Sequence, residues 1–374
     1  MPGRTGRILL RVVLVVTMTA AALVAAELLA RFQFRRAQSS GRAGDFIARR
    51  AGGPSYRSNS LGFRDREVPP KSPDRYRIAV IGDSFAWGQG VEERDRFSNL
   101  LEEFLGPRYE VFNFGRPGNN MPEHLEVLTQ VLTVEPDFVL LQLYINDFET
   151  PSMARPQAYP LLPASLERRV EGSSLIYDMA RAQWTRIQEA IGLTEGYVHY
   201  MERNLRDPDA PNAKKAYGQL REFFERARAA GLPSGGVLFP APDALGPNGR
   251  SYPFGYLHEG VRRVCADENV RCLDLLPQFS TYRDPRTMWV SPFDAHPNAI
   301  AHRKAAMEIL RAFSAVWQRH QLSAISYQLS AISYQLSAIS QLSSVRYQSA
   351  PRYQLLALNP LSSTRNELRR EPER

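Results

Sequence analysis

Apolar residues fall along the chain in short compact runs separated by stretches with helical periodicity. Tyr76 to Ile81, Tyr109 to Phe112, Phe138 to Tyr144, Gly236 to Phe239 and Val270 to Leu273 have the length and density of buried strands. Residues 94–105, 121–133, 213–230, 256–267 and 298–318 return apolar side chains to one helical face. Strand and helix alternating in this way predict an α/β fold, a parallel sheet covered on both faces. After the third strand the alternation is interrupted by residues 150–212, which carry Pro151, Pro156, Pro160 and Pro163 and then a helical stretch bearing Tyr177, Trp184, Tyr197 and Tyr200. An insertion at the carboxyl end of a strand is placed to cap a pocket; the other reading is a packing excursion with core aromatics.

The two flanks are of different character. Ile8 to Ala30 is dominated by Leu, Val and Ala, with Arg4, Arg7 and Arg11 before it and Arg31, Arg35 and Arg36 after it. It predicts a single-pass membrane anchor, with Arg11 and Glu27 near the ends where long side chains reach the interface. A cleaved signal peptide has its parts here too, with Val24-Ala25-Ala26 as the small-residue site. The apolar character continues through Leu28, Leu29 and Ala30, which favours the anchor. Arginines on both sides leave orientation undecided by charge. Residues 37–74, rich in Ser, Arg, Gly and Pro, read as a linker that ends in the patterned segment Asn59 to Glu67. At the other end, Gln321-Leu-Ser-Ala-Ile-Ser-Tyr327 repeats from Gln328 and again from Gln335. Its Leu and Ile positions have coiled-coil spacing, yet no charged flanks specify a partner, and low complexity is the better description. The expected organisation is therefore 1–36 anchor or signal segment, 37–74 linker, 75–320 folded domain with 150–212 as insertion, and 321–374 repeat-rich tail.

Charge changes this picture less than its total suggests. The chain has 374 residues and a formal net charge of +8. Residues 1–50 hold nine arginines against Glu27 and Asp45, and residues 341–374 hold six against three glutamates, so the stretch between them is slightly acidic. A nucleic-acid footprint belongs on the folded domain, and no nucleic-acid partner is expected. Cys265 and Cys272 are too few for a cysteine zinc site and fit either one small bridged loop or two ordinary thiols.

The chemistry lies in the loops at the strand ends. The first strand ends in Gly82-Asp83-Ser84, the second in Asn113-Phe-Gly115-Arg-Pro-Gly118 and the third in Tyr144-Ile-Asn146-Asp147, while beyond the last strand comes Asp294-Ala-His296-Pro-Asn298. Ligands of open parallel sheets bind outside the carboxyl ends of the strands, where these loops converge. A serine needs a base, an imidazole held by a carboxylate supplies one, and Ser84, His296 and Asp294 fit those roles. Backbone N–H groups of Ser84 and Gly118 with the Asn146 amide fit an oxyanion hole. Each also has a plainer role: Gly118 as a turn glycine, Ser84 as a helix cap, and Asn146 as a cap in competition with Asp147. His302 reads as structural, and His124, His199, His258 and His320 as surface or satisfied core residues. Phosphate-loop, dinucleotide, nucleophile-elbow and zinc-protease motifs are missing from the sequence, and the chemistry expected needs no cofactor and no metal.

These four blocks in this order resemble the SGNH (GDSL-type) hydrolase family, over about 75 to 318. The resemblance implies a three-layer flavodoxin-like fold with a five-stranded parallel sheet. It also implies Ser84 as nucleophile and first oxyanion donor, Gly118 and Asn146 as further donors, and His296 as base oriented by Asp294. Many members place the Asp three residues before the His, where this chain has Phe293. Membrane-anchored bacterial members are also similar at Asn59 to Glu67, and the catalytic domain is expected on the extracytoplasmic side. The expected partner is an acyl ester, on a glycan or a lipid. Discharge of an acyl-enzyme to water makes an esterase and discharge to a sugar hydroxyl an O-acyltransferase; a non-catalytic glycan-binding protein on the same fold is the alternative of another class.

Overall fold

The computed structural model describes residues 4–39, 58–154, 158–170, 173–249, 251–291 and 294–318. The 321–374 repeats, most of the 37–58 stretch, and Phe293 lie outside the described residues. Five strands, β1 (Tyr76–Gly82), β2 (Tyr109–Gly115), β3 (Phe138–Leu143), β4 (Ser234–Leu238) and β5 (Arg271–Asp274), form one sheet in the order β2-β1-β3-β4-β5, with every pairing parallel. The parallel, doubly covered sheet is the one expected from the alternation of runs, and its order is the flavodoxin-like one that the family resemblance implies.

Strands β1, β2 and β3 are largely apolar and buried throughout because both of their faces are covered. Alternate side chains separate to opposite sides. Ala79, Ile81, Phe112, Phe114, Val139 and Leu141 pack on helices α4 (Met121–Leu132), α8 (Pro211–Ala229) and α9 (Gly255–Asp267). Ile78, Val80, Val111, Phe138 and Leu140 pack on α2 (Ser84–Trp87), α3 (Phe97–Leu105) and α11 (299–318). The insertion after β3 contains α5 (Ala164–Val170), α6 (Leu175–Ala190) and α7 (Tyr197–Leu205). Its aromatics are engaged in packing and hydrogen bonds: Tyr200 is buried, Tyr197 and Tyr200 reach Glu149, Tyr177 donates to Glu167, and Trp184 donates to the Tyr159 carbonyl. A short helix α10 (Leu276–Phe279) leads to an antiparallel hairpin, β6 (Trp289–Ser291) with β7 (Asp294–Pro297). Cys265 in α9 is bridged to Cys272 in β5, which resolves the choice left open by their spacing.

At the amino end, helix α1 (Arg4–Ser39) contains Arg11–Phe32, one stretch long and apolar enough to cross a membrane; an N-terminal signal sequence meets the same test. The stretch expected to be linker is in part packed. Asn59, Phe63, Arg64 and Asp65 are buried, and Phe63 stacks edge-on against Phe114. An asparagine-centred loop has no hydrophobic period, so pattern alone does not mark it as structure: the Asn59 side-chain Oδ1 accepts from Leu61 N and Phe63 N.

In register, Gly82 stands beside Gly115 at the carboxyl ends of β1 and β2. A Cβ on Gly82 would come 2.3 Å from Gln142 Oε1, and one on Gly115 would come 2.4 Å from the backbone N of Trp87. The two bare ends let α2 settle directly onto the sheet. Gly115→Ala meets backbone that cannot swing aside, and is expected to cost about 1–3 kcal/mol, the usual range for overpacking. A urea midpoint equal to the parent's would show that α2 does not sit this close.

Candidate active site

Ser84 is the first residue of α2, capped by Asp83, whose Oδ1 accepts from Phe85 N at 2.8 Å. The turn beneath it is buried, so its backbone donors need protein partners. Gln142, fully buried on β3, provides one oxygen for two of them: Asp83 N at 3.1 Å and Ala86 N at 3.0 Å. Asn113 of β2 donates to Ala86 O and Ser98 Oγ and accepts from Gly115 N. Gly88 ends α2 in the left-handed conformation, φ +78°. Arg64 then donates to the carbonyls of Gly88 and Val91, at 2.9 Å each.

The imidazole arrives from the hairpin. Asn298 donates to the Thr287 and Trp289 carbonyls and caps α11 through Ile300 N and Ala301 N, which fixes the end of β7. Against this support His296 Nε2 lies 3.0 Å from Ser84 Oγ, and its Nδ1 lies 2.5 Å from Asp294 Oδ1. With the Nδ1 proton directed to the carboxylate, Nε2 is the acceptor for the serine hydroxyl. Asp294 Oδ1 also accepts from His296 N, so the two-residue spacing closes a tight local turn. Burial alone would raise the Asp294 pKa, but the His296 hydrogen bond and charge, the His296 N–H and Gln89 together hold it below the usual carboxylate range. Phe85 faces the imidazole edge-on, 5.4 Å between centroids. Asp284, another carboxylate ten residues before Asp294, stands apart from the imidazole, half-buried and engaged in capping the turn at Pro285 and pairing with Arg286.

Gly118 follows β2 at φ +82°, a conformation that favours glycine, and the space where a Cβ would be is open. Asn146 lies in the turn Ile145–Phe148 after β3. Its neighbour Asp147 performs the capping, accepting from Tyr144 N at 2.6 Å and pairing with buried His124 at 2.8 Å. Asn146 Oδ1 has no partner. Thus Ser84, His296 and Asp294 are joined by hydrogen bonds, and Gly118 and Asn146 occupy the neighbouring strand ends. Gln142, Asn113, Asn298 and Gln89 complete the support. A cavity of about 740 Å³, lined in part by Asp243, Tyr282, Arg286 and Trp289, borders the same hairpin. Among the described residues no group of three or more His, Cys, Asp or Glu is arranged to hold a metal ion.

The model of the GDSL-like lipase/acylhydrolase family matches residues 80–304, more than half of the chain, and the chain belongs to that family. It is a hydrolase of the GDSL/SGNH class. No curated protein sequence matches the chain. Among solved structures, that of TesA is 17% identical with a TM-score of 0.41, covering 64% of this chain and 98% of its own. The acetyl xylan esterase AlAXEase is 17% identical at 0.40, covering 63% and 98%, and a lipase/acylhydrolase from Enterococcus faecalis is 14% identical at 0.40, covering 64% and 96%.

Two buried groups beside the site titrate abnormally and in opposite senses. Burial, with the charge of Asp147 added, pushes the Asp83 pKa up to about 7 against the pull of Phe85 N–H, His124 and His296. Burial, with Arg96, Arg64 and His296 nearby, brings His302 down to about 3. Between about pH 4 and 7 native Asp83 holds a proton that the unfolded chain has released, so it lowers stability as pH rises. His302 does the reverse from pH 6.5 down to 3, since the unfolded chain takes up a proton the native state refuses. Melting temperature in Asp83→Asn should therefore climb more steeply from pH 4 to 7 than in the parent, and in His302→Gln less steeply. Parallel curves for all three proteins would refute both assignments.

Proposed function

We propose that the protein is a carboxylic-ester hydrolase in which Ser84 is the nucleophile, His296 the general base and Asp294 its orienter. The observation that carries this reading is the continuous chain of hydrogen bonds from Ser84 Oγ through both ring nitrogens of His296 to Asp294. His296 Nε2 takes the hydroxyl proton as Ser84 Oγ attacks the ester carbonyl, and Asp294 stabilises the imidazolium that forms. Backbone N–H groups of Ser84 and Gly118 and the Asn146 side-chain N–H receive the oxyanion; Asp147 performs the capping of the turn, which leaves the Asn146 amide for this role. His296 then protonates the departing alcohol. A water molecule, deprotonated by the same imidazole, releases the acid and restores the serine. The bridged cysteines support a domain on the oxidising side of the membrane, held there by α1.

Purified protein should react covalently with a fluorophosphonate probe at Ser84, and Ser84→Ala should lose labelling and at least about 10³-fold in aryl-ester kcat while keeping its melting temperature. Asn146→Ala should lower kcat by about 10²- to 10³-fold with little change in KM. Asp284→Asn should be silent. Turnover retained in Ser84→Ala would remove the nucleophile assignment, and an acyl product found on an added sugar rather than in water would make the enzyme a transferase.

A further inference from the structure

Over residues 11–25, α1 stands free of the rest of the protein, every side chain exposed. Contact begins one turn later, on a single stripe: Ala26, Glu27, Ala30 and Arg31 are partly buried, while Leu28 and Leu29 on the other side are exposed. This stripe touches the start of α6, some 147 positions away in the insertion. Glu27 accepts from Ser174 Oγ at 3.0 Å, from Leu175 N at 3.2 Å and from Ile176 N at 3.1 Å. Arg31 bonds to Glu27 at 2.7 Å and donates to the Ser173 carbonyl, also at 2.7 Å. The first N–H groups of a helix have no partner within it, and here a carboxylate from another helix supplies one.

A carboxylate near the end of an apolar helix is costly unless it is bonded, and every partner of Glu27 other than Arg31 belongs to the insertion. Cleavage after Ala26 would leave Glu27 as the first residue, without the preceding turns of α1 that help to aim it. The contact therefore has a use only in a chain that keeps α1. It also fixes which residues lie at the membrane boundary. Residue 169 precedes Ser173 by four positions, at most about 14 Å of chain. In α5, Leu166 is 45% exposed and Arg168 and Arg169 are exposed. An exposed apolar side chain with arginines two and three positions further on suits the headgroup layer of an anionic bilayer.

We propose that Glu27 and Arg31 clamp a retained α1 to the start of α6, and that this clamp holds the α5–α6 corner against the anionic surface of the membrane in which α1 sits. The inference is independent of the catalytic assignments. It is tested on the full chain in vesicles of phosphatidylcholine and phosphatidylglycerol. Glu27→Cys with Ser174→Cys should oxidise to a linked peptide pair, identified by mass spectrometry under non-reducing conditions. Two reactive thiols without a link, or a mature chain beginning at Glu27, would overturn the clamp. An environment-sensitive fluorophore on Leu166→Cys should be quenched at least twofold more by lipid-borne nitroxide than one on Glu225→Cys, an exposed position on the outer face of α8. Adding Glu27→Ala should return the Leu166 signal to that control level. Equal quenching at positions 166 and 225 with α1 in place would overturn the membrane contact.

Discussion

Everything at the site depends on satisfying the backbone of one buried turn. The chain must leave β1, reverse into α2 and present a serine, all where water cannot reach the peptide groups. The Gln142 carbonyl takes two of the turn's N–H groups, and Asn113 holds Ala86 O and Gly115 N. A buried donor left without its partner costs about 1–3 kcal/mol, so two side chains from neighbouring strands outweigh most local preferences of the turn itself. Bare glycines at both strand ends are the steric half of the same constraint.

The two halves of the Ser84–His296 pair are held by unlike means. The serine is fixed by the sheet, through polar side chains that project from β2 and β3. The imidazole rides on a short hairpin whose rigidity comes from Asn298 beneath it and from the Asp294 turn. Behind both, burial, with the charges of Arg96 and Arg64 added, keeps His302 neutral, so that its Nδ1 accepts from Phe97 N and joins α11 to α3. Charge and packing act together there: Arg64 stacks on Trp87 while its guanidinium binds the carbonyls that end α2.

Much of this is legible in the sequence, and the remainder is hidden for definite reasons. Central strands announce themselves because burial on two faces makes them continuously apolar, as Ile78 to Ile81 shows. The segments after the strands are found from topology: Ser84, Gly118 and Asn146 follow β1, β2 and β3, and His296 lies beyond β5 on the hairpin strand β7. Gln142 and Asn113 are not found as supports, since a single polar residue inside an apolar run looks like an interruption rather than a bracket. Hairpin β6–β7 is too short to show a period. Asp83 reads as part of a motif, and nothing in its neighbours along the chain reveals that Asp147 and His124 close around it. Glu27 reads as a residue at the end of an apolar segment, reaching for the interface, because its partners in the insertion are far away in sequence.

The segment Asn59 to Glu67 has a consequence for where this enzyme can be cut. Asp65 accepts from Asn113 N at 2.6 Å, Phe63 fills the core beside Phe114, and Arg64 closes the end of α2. A soluble form trimmed to the first strand at Tyr76 would discard all three, leaving carbonyls and an N–H open beneath the serine. The shortest self-sufficient version therefore begins ahead of Asn59, and the residues that lead into the first strand are part of the scaffold of the site.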